Sequence, residues 1–220
     1  MKNKRNIILC AIMTFITIIY TILVKFVDVK KIGPKNSSVG FASLNGWFND
    51  LVGSNMTIYK ITEILGYLIF ILCAFYGIIG IYQLIKRKNI KKVDKEIILV
   101  GLFYVLVLAV YVIFEKVVIN YRPVLIDGEL EASFPSSHTM LSLCVGISSL
   151  LISKKYINIK YIGIVNLVTI ILMLSVLLGR LISGVHWLSD IIGGIIISIT
   201  LILYFVTAHN YIKHTKKELN

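Results

Sequence analysis

Long apolar runs separated by short polar stretches dominate the chain. Residues 7–24 are almost wholly apolar, close to the roughly 20 residues a helix needs to cross a bilayer. Similar runs cover residues 64–85, 97–114, 139–152, 161–178 and 187–207, the fourth being short. Each is predicted to be a transmembrane helix. The expected fold is all-α, a polytopic bundle of six spans forming one integral-membrane domain over residues 1–220. A cleaved signal peptide is the rival reading of the first run. That run is long for an h-region, and no small-x-small cleavage site follows it.

Residues 28–57 form a loop containing Gly33-Pro34 and Asn36-Ser37-Ser38. Within it, Phe41, Leu44, Phe48 and Leu51 recur at three and four residues, with Trp47 alongside. That spacing predicts a short amphipathic helix over about 39–52. Its aromatics suit the membrane interface, where it would cover a site or guide a lipid into one. Packing against the bundle is an equal alternative.

Composition agrees with a membrane protein. The chain is 57% hydrophobic and 15% charged, more apolar than a soluble domain of this size can hide. The net charge of +12 does not indicate nucleic acid, because the cations sit in short clusters between apolar runs. The bilayer itself is the expected partner. A cytoplasmic N-terminus puts Lys2, Lys4, Arg5, the cluster over 86–95, Lys154, Lys155, Lys160 and the tail lysines on the inner side, as the positive-inside rule requires. Six spans then place both termini inside a cell (plasma) membrane. Abundant Ile, Lys and Asn point to a bacterium with an AT-rich genome. Cys10, Cys73 and Cys144 lie far apart in apolar runs and read as small buried hydrophobes rather than disulfides or ligands.

With that orientation, three polar segments fall on the outer face: Lys116 to Arg122-Pro123, Phe134-Pro135-Ser136-Ser137-His138, and Arg180 to His186 and Asp190. Asp190 lies one helical turn beyond His186. A carboxylate there can take the proton of one ring nitrogen and leave the other free to attack. It also sits inside an apolar run, where an ionisable group is costly. A buried ion pair that only orients two helices is the alternative. His138 opens the fourth span, where the backbone N–H groups of Ser137 and His138 and the Ser136 hydroxyl can hold an anion. A histidine there can protonate a leaving oxygen, or be a bystander at an ordinary cap. Arg122 and Arg180 suit bidentate binding of phosphate oxygens, or act as snorkelling anchors. His209 and His214 lie in the basic tail and read as solvated. No cluster of metal ligands accompanies these residues, so neither metal nor cofactor is expected.

These segments resemble the signature motifs of the type 2 phosphatidic acid phosphatase superfamily, integral-membrane lipid phosphate phosphatases. The family pattern is Lys-x6-Arg-Pro, Pro-Ser-Gly-His and Ser-Arg-x5-His-x3-Asp. This chain has Tyr121-Arg122-Pro123, Pro135-Ser136-Ser137-His138 and Gly179-Arg180-x5-His186-x3-Asp190. The resemblance implies metal-independent hydrolysis of a lipid phosphate or diphosphate through a phosphohistidine. His186 would be the nucleophile, Asp190 its orienting partner and His138 the general acid. Arg122, Arg180, Ser136 and Ser137 would bind phosphate. Bacterial members act on phosphatidic acid, phosphatidylglycerol phosphate or undecaprenyl diphosphate at the outer face of the membrane.

Three positions depart from the pattern. Glu115 occupies the family's lysine position, with Lys116 one residue later, about 100° round a helix, and carries that role only weakly. Ser137 replaces a glycine, and Gly179 replaces a serine. A catalytically weak lipid-binding relative, or a phosphotransferase using the same histidine, are the alternatives. A channel or transporter fits less well, because the charges gather at one face and not at the bilayer midplane.

Overall fold

The computed structural model describes residues 2–218, with side chains over 4–213. The described residues form seven α-helices: α1 (Lys2–Phe26), α2 (Ala42–Val52), α3 (Met56–Arg87), α4 (Lys95–Lys116), α5 (Ser137–Tyr156), α6 (Ile159–Ile182) and α7 (Leu188–Glu218). No strands form among these residues beyond three isolated bridges. Two of those bridges, Tyr121 with Ala132 and Ile126 with Glu129, fold the α4–α5 connection into a hairpin-like loop. Five helices are long and apolar enough to cross a membrane: α1, α3, α4, α6 and α7. The protein is a multi-pass, all-helical membrane protein.

Helix α5 is different in composition because of where it stands. It packs against α3, α4, α6 and α7 and buries Ser142, Cys144, Gly146, Ser148, Ser149 and Ser153. A helix enclosed by other helices has little contact with lipid, so small and hydroxylated residues let the neighbours approach closely. Its serines bond back to carbonyls of the preceding turn, as Ser142 does to Thr139 and Ser148 to Val145. Its 20 residues are about 30 Å long, the thickness of the hydrocarbon core. Around it, Tyr76, Val100, Phe103, Met140, Cys144, Leu201 and Phe205 form the main apolar core.

Consecutive long helices run in opposite directions, so the bundle has two distinct ends. One end gathers the three motif segments. The other holds the α3–α4 turn and the α5–α6 turn. At that second end Asp94 pairs with Arg87 at 2.9 Å and Lys155 at 3.1 Å, and Lys155 also reaches Glu96 at 2.7 Å. The Asp94 backbone N–H is held by Gln83. This cluster ties α3, α4 and α5 together.

Two expectations change in the folded chain, the start of the second run and the surroundings of His209. The second run begins at Met56 and not near residue 64, because Asn55 caps α3 by accepting from the N–H groups of Thr57 and Ile58. The amphipathic helix turns its apolar stripe outward: Leu44, Trp47 and Leu51 are exposed, whereas Asn45 is fully buried. His209, expected in solvent, lies on the inner face of a helix that continues well past it. It is buried and stacks on Phe205 with ring centroids 5.9 Å apart. The His214 side chain lies outside the described residues.

Partial burial pushes the Asp94 carboxyl up, but hydrogen bonds from Arg87, Lys155 and Gln83 outweigh it and hold the group down at about 2. A depressed carboxyl contributes stability above its unfolded value, near 4, that is lost as pH falls through the folded one. Asp94→Asn is expected to destabilise the protein by about 1–2 kcal/mol at pH 7. Thermal unfolding in detergent should show that the gap from wild type closes toward pH 2.

Candidate active site

The site is assembled by hydrogen bonds between segments far apart in sequence. Ser136 N–H donates to the Asp190 carbonyl at 3.0 Å. Trp187 Nε1 donates to the Tyr121 carbonyl at 2.6 Å. Asn120, almost fully buried, accepts from Gly40 N–H at 3.0 Å through its side chain, and its carbonyl accepts from Ser133 N–H at 2.9 Å. Asn45 on α2 donates to the Ser189 hydroxyl at 2.9 Å and accepts from the Ser189 N–H at 3.0 Å. Lys25, at the end of α1, donates to the Val118 carbonyl at 2.8 Å. All three motifs are thereby fixed around the start of α7.

His186 stands in the turn between α6 and α7. Its Nδ1 lies 3.0 Å from the Ser133 carbonyl. A carbonyl only accepts, so Nδ1 carries the ring proton and donates. Nε2 is then the deprotonated nitrogen, buried and without a hydrogen-bond partner among the described residues. Asp190 sits at 3.7 Å from Nδ1, beyond hydrogen-bond length. Its Oδ2 accepts from the Trp187 N–H at 2.9 Å instead, which caps the first turn of α7. The Ser133 carbonyl, and not the carboxylate, is therefore the group that sets the tautomer in this structure. Burial, reinforced by the charges of Arg122 and Arg180 and by His138, holds the His186 imidazole well below its ordinary range.

Arg180 is completely buried at the end of α6, and none of its three guanidinium nitrogens has a hydrogen-bond partner among the described residues. Arg122 is also buried, and its Nε lies 3.0 Å from Glu131 Oε2. Tyr59, on the second turn of α3, stacks against both arginines. Its ring centroid is 4.8 Å from the Arg180 guanidinium carbon and 5.7 Å from that of Arg122. Its hydroxyl donates to Glu63 at 2.8 Å. One aromatic face thus partly offsets two like charges.

Ser136 is fully buried, and its hydroxyl accepts from Thr139 Oγ1 at 3.0 Å. Ser137 and His138 open α5, where the first backbone N–H groups lack helical partners. Gly66 on α3 makes room for His138, since a methyl group there would overlap the imidazole. Gly179 has the same relation to Thr62. The glycine that departs from the family serine therefore permits the close approach of α3 and α6 directly below Arg180. A small cavity of about 10 Å³ is lined by Glu115, Arg122, Ser133, Pro135, Ser137 and His186 among others, room for roughly one water molecule. Lys116 does not reach it. Lys116 is exposed at the end of α4, and its neighbour Glu115 forms the wall.

Tyr59, Glu131, the Ser133 carbonyl and Asn120 escape a reading of the sequence. No local spacing marks them. Ser133, directly before Phe134-Pro135, and Asn120, two residues before Arg122-Pro123, lie near motifs without being part of their pattern.

An overall fold of this kind is that of the PAP2-type membrane phosphatases. The structure superimposes with a TM-score of 0.59 on the transmembrane PAP2-type phosphatidylglycerolphosphate phosphatase of Bacillus subtilis. The match covers 96% of this chain and 97% of that one, at 18% identity. The family profile of the PAP2 superfamily matches residues 116–214, the part of the chain that carries all three motifs. Among curated proteins, a dihydrosphingosine 1-phosphate phosphatase of Schizosaccharomyces pombe is 33% identical over 82 residues. That stretch covers 36% of this chain and only 20% of the yeast protein.

Two substitutions test this geometry. Gly179→Ser restores the family residue yet overpacks against Thr62, an effect worth about 1–3 kcal/mol. It is expected to lower thermal stability, and Thr62→Ser added to it should recover most of the loss. Tyr59→Leu removes the ring between the arginines and should weaken inhibition by orthovanadate about tenfold. Tyr59→Phe should stay near wild type.

Proposed function

We propose that this protein hydrolyses a lipid phosphate or diphosphate, of the phosphatidic acid, phosphatidylglycerol phosphate or undecaprenyl diphosphate class, through a phosphohistidine. One observation carries the reading. A fully buried guanidinium with unpaired donors, Arg180, lies within electrostatic reach of an imidazole whose Nε2 is equally unpaired. Unpaired buried donors of this kind are costly, and a phosphoryl group satisfies them with oxygens while offering phosphorus to the nitrogen.

In the proposed reaction, Nε2 of His186 attacks phosphorus. The bond from phosphorus to the lipid-side oxygen breaks, its electron pair stays on that oxygen, and His138 supplies a proton to it. Water then attacks the phosphohistidine and gives a proton to His138, releasing inorganic phosphate and free imidazole. Arg122, Arg180 and the N–H groups of Ser137 and His138 stabilise the charge on the transferring group. Ser136 adds its hydroxyl. Asp190 steadies the imidazolium character that develops as Nε2 bonds to phosphorus. Phosphate would take the unpaired Nη1 of Arg122, whose Nε is held by Glu131.

The same reading holds that the chain spans the membrane six times, counting α5, with both termini cytoplasmic and the motif end outside. The distribution of lysines supports it. A second reading, a lipid-binding relative with little turnover, draws on Glu115 in the cavity wall and Glu131 on Arg122. A phosphotransferase shares every step up to the phosphohistidine.

The test is release of inorganic phosphate by the purified protein in detergent from phosphatidic acid, phosphatidylglycerol phosphate and undecaprenyl diphosphate, with EDTA present. His186→Ala is expected to abolish release. His138→Ala should lower it by about 10²–10⁴-fold. No release from any of the three lipids by folded protein overturns the proposal. Because His186 must be neutral to attack and is held below its ordinary value, the acid limb it controls should lie below about pH 6.5. The phosphoenzyme burst measured against pH reports it.

A further inference from the structure

The end of the bundle away from the motifs carries a second cavity. It lies between α3 and α5 and is lined by Ile79, Tyr82, Gln83, Lys86, Arg87, Lys155 and Tyr156, enclosing about 410 Å³. The α3 residues recur at positions 79, 82, 83, 86 and 87, which is one continuous helical face. Along that face the chemistry changes in order: aliphatic at Ile79, aromatic at Tyr82, cationic at Lys86 and Arg87. The seven helical steps from Ile79 to Lys86 rise about 10 Å. On the facing helix, Lys155 and Tyr156 repeat the pairing of a cation with an aromatic ring.

No carboxylate lines the cavity, although Asp94 pairs with Arg87 and Lys155 from beside it, and Glu96 pairs with Lys155. Lys86 forms no ion pair among the described residues. Its Nζ lies over the Tyr82 ring at 5.6 Å and reaches the Tyr82 hydroxyl at 3.4 Å. The surrounding turns add Lys88, Lys91, Lys92 and Lys154, all exposed. The potential at this mouth is therefore strongly positive.

We infer that this cavity is a binding site for the headgroup of an anionic phospholipid from the leaflet at the motif-free end. The phosphate sits against Lys86 at the rim, the glycerol region against Tyr82 and Tyr156, and the start of one chain against Ile79. The order of aliphatic, aromatic and cationic residues matches the order of chain, interface and headgroup in a lipid. A soluble anion has no use for the aliphatic floor. A neutral lipid has no use for the cations. The site is separate from the proposed catalytic centre and does not depend on that reading.

The test is retention of phosphatidylglycerol against phosphatidylcholine by the full-length protein, read by native mass spectrometry and by thermal stabilisation in mixed micelles. Lys86→Glu is the variant, since it breaks no ion pair of the Asp94 cluster. Lys160→Glu is the control. It makes the same charge change at the same end of the bundle, on an exposed residue outside the cavity. The expected result is preferential retention of phosphatidylglycerol by wild type and by Lys160→Glu, with about tenfold weaker retention by Lys86→Glu. Equal retention of the two lipids by wild type overturns the inference. An equal loss in both variants also overturns it, because general surface charge then suffices.

Discussion

A cation wholly withdrawn from water and matched by no hydrogen-bond acceptor is the constraint around which this molecule is arranged. Arg180 is fully buried with every guanidinium nitrogen unpaired among the described residues. Burying a charge without partners is among the most costly things a fold can do. The neighbourhood compensates only in part. Tyr59 lends the face of its ring, and Glu63 holds the Tyr59 hydroxyl. A second arginine beside the same ring adds repulsion, which Glu131 partly neutralises. A phosphoryl group, the ligand proposed above, would offer these donors several oxygens in one compact anion. The same logic explains the fit of α3 against α6. Gly179 and Thr62 lie in contact just below Arg180, so α3 cannot withdraw Tyr59 without opening the seam.

The proposed nucleophile is governed by backbone as much as by side chains. The carbonyl of Ser133 fixes which nitrogen of His186 carries the proton, and Asp190 stands slightly farther away, occupied with the cap of α7. Orientation of the imidazole therefore depends on the α4–α5 loop keeping its path. That path is pinned by Asn120 and Tyr121, and through Ser189 by Asn45 on α2. A helix whose apolar stripe faces outward is in this way wired to the first turn of α7.

The parts legible in the sequence are those with a local signature. Long apolar runs announce helices because lipid leaves the backbone no other way to satisfy itself. Arg180, His186 and Asp190 announce themselves by fixed spacing across one turn and one helix start. The central helix was legible only as a short apolar run, because helices and not lipid surround most of it and its face is serine and glycine. Tyr59 and Glu131 were not legible at all. Their meaning comes from which arginines they meet, and that is decided by the approach of α3 and of the hairpin-like loop. His209 misled for the opposite reason: charge around it suggested solvent, whereas the helix carried it inward onto Phe205. Lys116 and Glu115 differ by one residue along α4, and the helix turn alone decides that the acidic one faces the cavity.

The pairing of Asn45 with Ser189 joins residues 144 positions apart, and His186 relies on Ser133 across 53. The three motifs, from Glu115 to Asp190, all lie in the second half of the chain, whereas Tyr59, which faces Arg122 and Arg180, and Asn45, which holds Ser189, lie in the first. A chain emerging from the ribosome acquires Arg122, His138 and Arg180 in turn, yet their common partner arrives only with α7. In the proposed reaction, a chain interrupted before the α6–α7 turn would hold the arginines and His138 but not the attacking nitrogen.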